Sequence, residues 1–454
     1  MIFKPSEKQF HFLFFMLVCI VGIATSSISK VAYFWGFSFF LVAVFLIIKT
    51  KNSTGIAHYS AAYLMSAEVF FRMSWCGLPW EFGKYAVIFL LSLGMTLDST
   101  QRKSSYIFVI YILLLFPAVY LSFDYYSDPD QLKSRLFFNM LGPIVLTISS
   151  IYFYRYMMSM AEFTKLSRWI VLGVLTMGAY VLLKVGDYSA IQYTYSSNGA
   201  SSGGFSGNQV SIGFGLGAMI LIINMVLKNK VFYYFWLDLL LLFMFIFQGL
   251  MTFSRGGISS GVLAAILGML VFYFSNISQI VDFLRKNMFK MFLGIAFAAG
   301  TFSYVNEVTG GFLYARYFNV NDKGQKIKKD ITTGRGEITE GDMMLFQSTD
   351  YLGTGVGVSI AERPVMRNYA AHVEYTRMIS EHGMLGILAL MLMFIVPLKQ
   401  FFYIWGRPDI QIIFISSMFL ALLTMTHAAM RLGMVGFFYG LAFILIVKKV
   451  QNDK

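Results

Sequence analysis

The sequence predicts an all-α, polytopic membrane bundle of about 12–14 transmembrane helices, with one large polar loop before the last spans. Three observations predict it. Charged residues make up 13% of the 454 residues and hydrophobic ones 57%, whereas a soluble domain carries roughly 25% charged and about 45–50% apolar residues. Apolar runs near the roughly 20 residues needed to cross a bilayer recur along the whole chain. Polar residues, by contrast, concentrate in one long stretch near the C-terminal end. A soluble protein of this length would divide into two or three domains; here a single helical domain, 1–454, absorbs it.

The apolar runs are 10–26, 31–48, 56–73, 85–97, 105–121, 138–156, 169–184, 208–227, 231–252, 256–274, 289–306, 383–400, 410–427 and 432–447. Lys4 and Lys8 before the first run resemble a signal peptide. That run is long, has no clear small-x-small cleavage site and is followed at once by another, so it reads as an uncleaved helix. The 85–97 run is short and the last two runs lie close together.

Lys and Arg collect in the cytoplasmic loops of membrane proteins. With a cytoplasmic N-terminus, the inside loops hold Lys49 and Lys51, Arg102 and Lys103, Arg155, Lys165 and Arg168, Lys228 and Lys230, Arg285, Lys286 and Lys290, Lys399 and Arg407, and Lys448 and Lys449. The short outside loops hold only Lys30, Lys84, Lys133, Arg135 and Arg431. Both termini are therefore expected inside. This bias, rather than a nucleic-acid partner, accounts for most of the net charge of +13; the expected partners include membrane lipids and no nucleic acid. The two cysteines, Cys19 and Cys76, have no metal-type spacing.

The stretch 307–380 breaks the pattern. It mixes Arg316, Lys323, Lys326, Lys328, Lys329, Arg335, Arg363, Arg367 and Arg377 with Asp322, Asp330, Glu337, Glu340, Asp342, Asp350, Glu362 and Glu374, on the expected outer side. Long loops cross regardless of charge, and a loop of this length is usually functional or disordered. Its aromatic residues and glycines predict a partly helical extracytoplasmic cap. A second outside loop, 185–207, is rich in Gly and Ser. It reads either as a flexible connector or as a backbone-lined approach surface for a ligand.

No zinc motif, P-loop or dinucleotide fingerprint is present. Asp128-Pro-Asp130 reads as a turn. Glu68 and Arg72, four apart, pair on one helix face, and Asp238 lies near the cytoplasmic side. Thr-Phe-Ser-Arg-Gly-Gly, 252–257, joins two spans at the outer surface. Arg255 there is either a snorkelling helix-end residue or a phosphate ligand, since a guanidinium fork matches phosphate and a helix N-terminus favours anions. Arg335 stands between two glycines in the large loop. His372 precedes the helix that enters the next span and has the intrinsic pKa of a base near neutral pH. His382 and His427 read more simply as interface residues.

In order, GGFSGNQVSIG leading into a span, SRGG two spans later, an arginine early in the large loop, and a histidine before Glu381-His382-Gly383-Met384-Leu385-Gly386 resemble the O-antigen ligase and O-antigen polymerase superfamily of bacterial envelope glycan transferases. The resemblance covers 205–400. The chain departs from the family pattern at Val373, where Asn commonly follows the histidine. It departs again at Gln209, where Pro-Asn is usual, and in the 185–207 loop, which has no arginine. Ligase and polymerase both stay open.

The resemblance implies a metal-independent, inverting glycosyltransferase of the bacterial inner membrane that uses no cofactor. Its donor would be a glycan on a polyprenyl (undecaprenyl) pyrophosphate, and its acceptor another glycan or lipid A-core. Arg255 and Arg335 would hold the pyrophosphate, with Arg316, Arg363 or Arg367 assisting, and His372 would take the acceptor's proton. The competing expectation is a secondary transporter or flippase, with a midplane pathway lined by Glu68, Arg72 and Asp238.

Overall fold

A computed structural model describes residues 6–98, 105–274, 288, 294, 296–321, 324–326 and 334–447. Lys4, Arg102, Lys103, Arg285, Lys286, Lys290, Asp322, Lys323, Lys328, Lys329, Asp330, Lys448 and Lys449 lie outside the described residues, as do 289–293 and 295 of the expected 289–306 span. The described chain is a helical bundle. Among the described residues nine helices are long and apolar enough to cross a membrane, and two shorter apolar helices, Phe82–Leu97 and Phe235–Met251, accompany them.

In chain order the helices are α1 (Glu7–Ser27), α2 (Lys30–Thr50), α3 (Ile56–Ser66), α4 (Glu68–Met73), α5 (Phe82–Leu97), α6 (Tyr106–Tyr125), α7 (Pro129–Phe153), α8 (Met160–Val185), α9 (Gly207–Val226), α10 (Phe235–Met251) and α11 (Arg255–Phe274). Then come α12, described over 296–308, and α13 (Phe312–Phe318), α14 (Arg335–Ser348), α15 (Ser359–Glu362), α16 (Glu374–Tyr403), α17 (Pro408–Met425) and α18 (Gly433–Leu441). Local chemistry sets several starts. Ser6 with Gln9, and Ser159 with Glu162, form capping boxes on α1 and α8. Asp128 caps α7 with Pro129 in its first turn, so the expected turn at Asp128-Pro-Asp130 is a helix start and the 138–156 span begins earlier than hydropathy suggests.

Three further expectations are corrected. The 56–73 run divides into α3 and α4 at Ala67. The 432–447 run is helical only to Leu441; its end pairs as a short parallel strand, β2 (Leu445–Ile446), with β1 (Met157–Met158). The helix expected over 383–400 starts at Glu374 and is interrupted at Gly383, with φ 61° and ψ −142°.

Small residues let the central helices touch. A Cβ on Gly257 would lie 2.4 Å from the Ile212 nitrogen, and one on Gly261 2.1 Å from the Gly215 oxygen. Gly257 and Gly261 are one helical turn apart, so α9 and α11 meet backbone to backbone along a small-xxx-small face. Lipid offers no hydrophobic drive for this contact; close packing supplies it.

The bundle has two chemically distinct ends. At one end lie the start of α1, the α2–α3, α7–α8 and α9–α10 connections and the β1–β2 pair, with Lys8, Lys49, Lys51, Arg155, Lys165, Arg168, Lys228 and Lys230. Arg168 there donates to the Val231 carbonyl (2.6 Å), beside His11 and Tyr233. At the other end the described parts of 307–380 pack onto the bundle. Val356 N bonds the Ala118 carbonyl (3.2 Å), Tyr126 Oη the Gly357 carbonyl (2.6 Å), and α14 lies along the start of α16.

Candidate functional site

An open cavity of about 390 Å³ lies at this second end. Its wall comes from separate stretches of chain. Ser197, Gly199 and Phe205–Asn208 line one side, Ser254, Arg255 and Gly256 another, and Arg316, Arg335 and His372 close it.

The α9 and α11 starts are laced together beneath it. Ser254 Oγ donates to Asn208 Oδ1 (3.1 Å), Ser211 Oγ to the Ser254 carbonyl (3.1 Å), and Ile258 N to Ser211 Oγ (2.9 Å). This fixes Arg255 as the first residue of α11. Arg316, on α13, is pinned by Nη1 to the Tyr195 carbonyl (2.9 Å) and by Nε to that of Phe253 (3.4 Å). Arg335 begins α14. Among the described lining residues there is no carboxylate. Three guanidinium groups therefore line the one cavity, and Arg316 is held below its ordinary pKa by burial and by the charges of Arg255 and Arg335. Such a concentration of like charge favours an anion.

His372 is held through its backbone. Its carbonyl accepts from Ala429 N (3.0 Å), and the adjacent Ala371 carbonyl accepts from Arg431 Nη2 (2.6 Å). Burial, then Arg431 and Arg335, lower its pKa to about 4; the nearby His427 carbonyl pulls the other way. The imidazole is thus neutral at pH 7, and its buried Nδ1 has no hydrogen-bond partner among the described residues. A neutral imidazole beside guanidinium groups can accept a proton where negative charge is held.

The remaining expected residues lie elsewhere. Arg363 is fully buried and bonds Asp342 (2.8 Å) and the Tyr369 carbonyl (2.8 Å); it ties α14 to the next stretch of chain and does not line the cavity. Arg367 is largely exposed, lies 3.6 Å from Glu362 and also lines no part of it. Asp342, pushed up by burial, also accepts from Thr376 (2.9 Å), which locks α14 to α16. Arg363→Ala leaves that carboxylate buried without its partner, so a loss of about 3–5 kcal/mol is expected. The check is the melting temperature in detergent; a wild-type value refutes this role.

His382 is buried and donates from Nδ1 to the Leu115 carbonyl (3.1 Å). His427 donates from Nδ1 to the Leu423 carbonyl (2.9 Å) and packs against Gly256, where a Cβ would come 2.6 Å from its ring. Its own carbonyl accepts from Asn208 (3.3 Å). Glu68 and Arg72 do pair, within a larger network. Arg72 also bonds Glu81 (2.8 Å), Gln209 (3.0 Å) and the carbonyls of Trp80 and Arg431 (3.0 Å each), and Lys84 lies 2.9 Å from Glu81. Asp238 accepts from Val231 N (2.7 Å) and Phe232 N (2.9 Å) at the opposite end. The three residues expected to line a transporter pathway thus occupy two distant networks.

Asn208, His427 and Arg431 were not singled out as site residues from the sequence. Arg431 donates to the distant Ala371 carbonyl, and His427 offers its own carbonyl to the distant Asn208, links for which no spacing rule exists. Asn208 sits inside the GGFSGNQ segment, whose order along the chain is the one signal that points to it. In comparisons with known proteins, no family model matches the chain, and neither a curated protein nor a solved structure matches it.

Proposed function

We propose that this protein is a membrane glycosyltransferase that moves a glycan from a polyprenyl-pyrophosphate donor to a sugar hydroxyl at the outer face of the bacterial inner membrane. Its role would be that of an O-antigen-type ligase or polymerase in cell-surface polysaccharide synthesis. One observation carries this reading: Arg255, Arg316, Arg335 and His372, spread over more than a hundred residues of sequence, line a single cavity. Orientation follows from charge. The opposite end bears the Lys- and Arg-rich short connections, so the positive-inside bias turns that end to the cytoplasm. The cavity, and the 307–380 cap beside it, then face outward, and the termini lie inside.

The chemistry fits those groups. His372 takes the proton of the acceptor hydroxyl as its oxygen attacks the donor's C1. The C1–O bond breaks, the electron pair stays on the pyrophosphate oxygen, and the anomeric centre inverts. Preorganised guanidinium groups stabilise the charge that develops on the leaving group. A ligase would pass the glycan to lipid A-core, a polymerase to another lipid-linked repeat.

A glycan profile of cells lacking the gene tests the assignment. Chains cut to one repeat indicate a polymerase, and full-length chains left on the carrier a ligase; an unchanged profile refutes both. The pH profile gives a second test. The base must be unprotonated, and in the free protein its pKa is about 4. The acid limb of kcat/KM is therefore expected near pH 4. A bound pyrophosphate adds negative charge, favours the imidazolium and moves the limb of kcat to higher pH. Coincident limbs, or a limb that survives His372→Ala, would count against His372 as the base.

A further inference from the structure

We propose that Phe205, Trp80 and Trp75 form an aromatic track that leads from the cavity rim onto the protein surface and binds the sugars of the substrate glycan; this rests on the glycosyl-transfer reading above. Phe205 lines the cavity. Its ring centroid is 5.8 Å from that of Trp80, and Trp80 is 5.5 Å from Trp75. Exposure rises along the series, from 9% to 40% to 72%. The interplanar angles, 48° and 49°, make the three rings a stepped surface.

Trp80 is held from behind. Arg72 lies 5.5 Å from its ring centroid and donates from Nε to its carbonyl, while Glu68 and Glu81 fix Arg72 in turn. A cation on one face of a ring steadies it and leaves the other for a ligand. Tryptophans at membrane interfaces commonly serve only as anchors. An anchor, however, needs no neighbour inside the cavity and no buried ion network behind it. Trp80 has both.

Size supplies the need for such a surface. Ligand pockets span about 300–1,000 Å³, and this cavity of about 390 Å³ is at the small end. A lipid-linked glycan of several sugars overruns it and continues outside. A pyranose ring has an apolar C–H face that carries slight positive charge, and the face of an aromatic ring is negative. A phosphate gains nothing from such a surface, so the track selects for glycan beyond the reacting sugar.

The test compares two ligands of the full-length protein in detergent: undecaprenyl pyrophosphate without sugar, and the lipid-linked glycan extracted from cells lacking this gene. Trp75→Ala and Trp80→Ala are expected to bind the bare lipid as wild type does and the glycan-bearing lipid about three- to tenfold more weakly. Trp80→Phe, which keeps a ring, should retain most of the glycan affinity. Tryptophan variants that match wild type on both ligands, or lose both equally, overturn the track alone. Wild-type protein that binds neither ligand overturns the transferase reading, and the track falls with it.

Discussion

Arg255→Ala and Arg335→Ala each lower glycan transfer by about 100-fold or more, while the protein stays in the membrane at wild-type level. The expectation follows from where charge appears. Substrate and leaving group differ most at the pyrophosphate, so a guanidinium facing it acts chiefly on the transition state. Arg316 shares the cavity and is anchored to the Tyr195 and Phe253 carbonyls, so Arg316→Ala should lower transfer as well. Lysine at 255 or 335 keeps the charge but not the two-pronged fork, and should restore only part of the rate. His372→Ala removes the base and should bring transfer to a similarly low level. The measurement is turnover of purified protein with extracted lipid-linked glycan, beside a melting curve. Wild-type turnover in any of the three alanine variants would remove that residue from the site, and in all three would end the assignment.

Gly383→Ala prevents the loop between α14 and α15 from docking and leaves little folded, active protein. At φ 61° and ψ −142° the backbone occupies a region open essentially to glycine, which alone disfavours a side chain by about 1–3 kcal/mol. A Cβ would also stand 2.3 Å from the Leu352 carbonyl carbon and 2.4 Å from the Tyr351 oxygen, both main-chain atoms that cannot turn aside. The interruption has a purpose. It releases the carbonyls of Ser380 and Glu381 from the helix, and they accept instead from Thr354 and Gly355 (3.0 Å each). Gly383→Ala should therefore accumulate poorly and melt well below wild type, whereas Met384→Ala, at an exposed neighbouring position, should not. A Gly383→Ala protein with a normal melting curve would show that the loop is not fixed there.

The bundle was legible because hydropathy and Lys/Arg placement are written locally. The runs at 10–26, 31–48 and 208–227 match α1, α2 and α9 closely. Breaks inside spans were not legible. Ala67 has no sequence mark of a helix end, and Gly383 reads as an ordinary membrane-helix glycine until Leu352 is seen against it. The gathering of Arg255, Arg335 and His372 could be anticipated from motif order, but the separation of Arg316 from Arg363 could not. Both are loop arginines, and only the buried carboxylate of Asp342 claims one of them. The support of His372 by Ala429 and Arg431 joins segments by backbone carbonyls, which no side-chain pattern records.

That support has a consequence for biosynthesis. Arg255, Arg316 and Arg335 all precede α17, yet the backbone bonds described at His372 and Ala371 come from Ala429 and Arg431, which emerge from the ribosome after them. A nascent chain halted before Thr426 carries Arg255, Arg316 and Arg335 but lacks the Ala429 and Arg431 contacts beside His372. The cavity wall is thus finished almost last: its three guanidinium groups are in the membrane before the segment that holds the imidazole among them has been made.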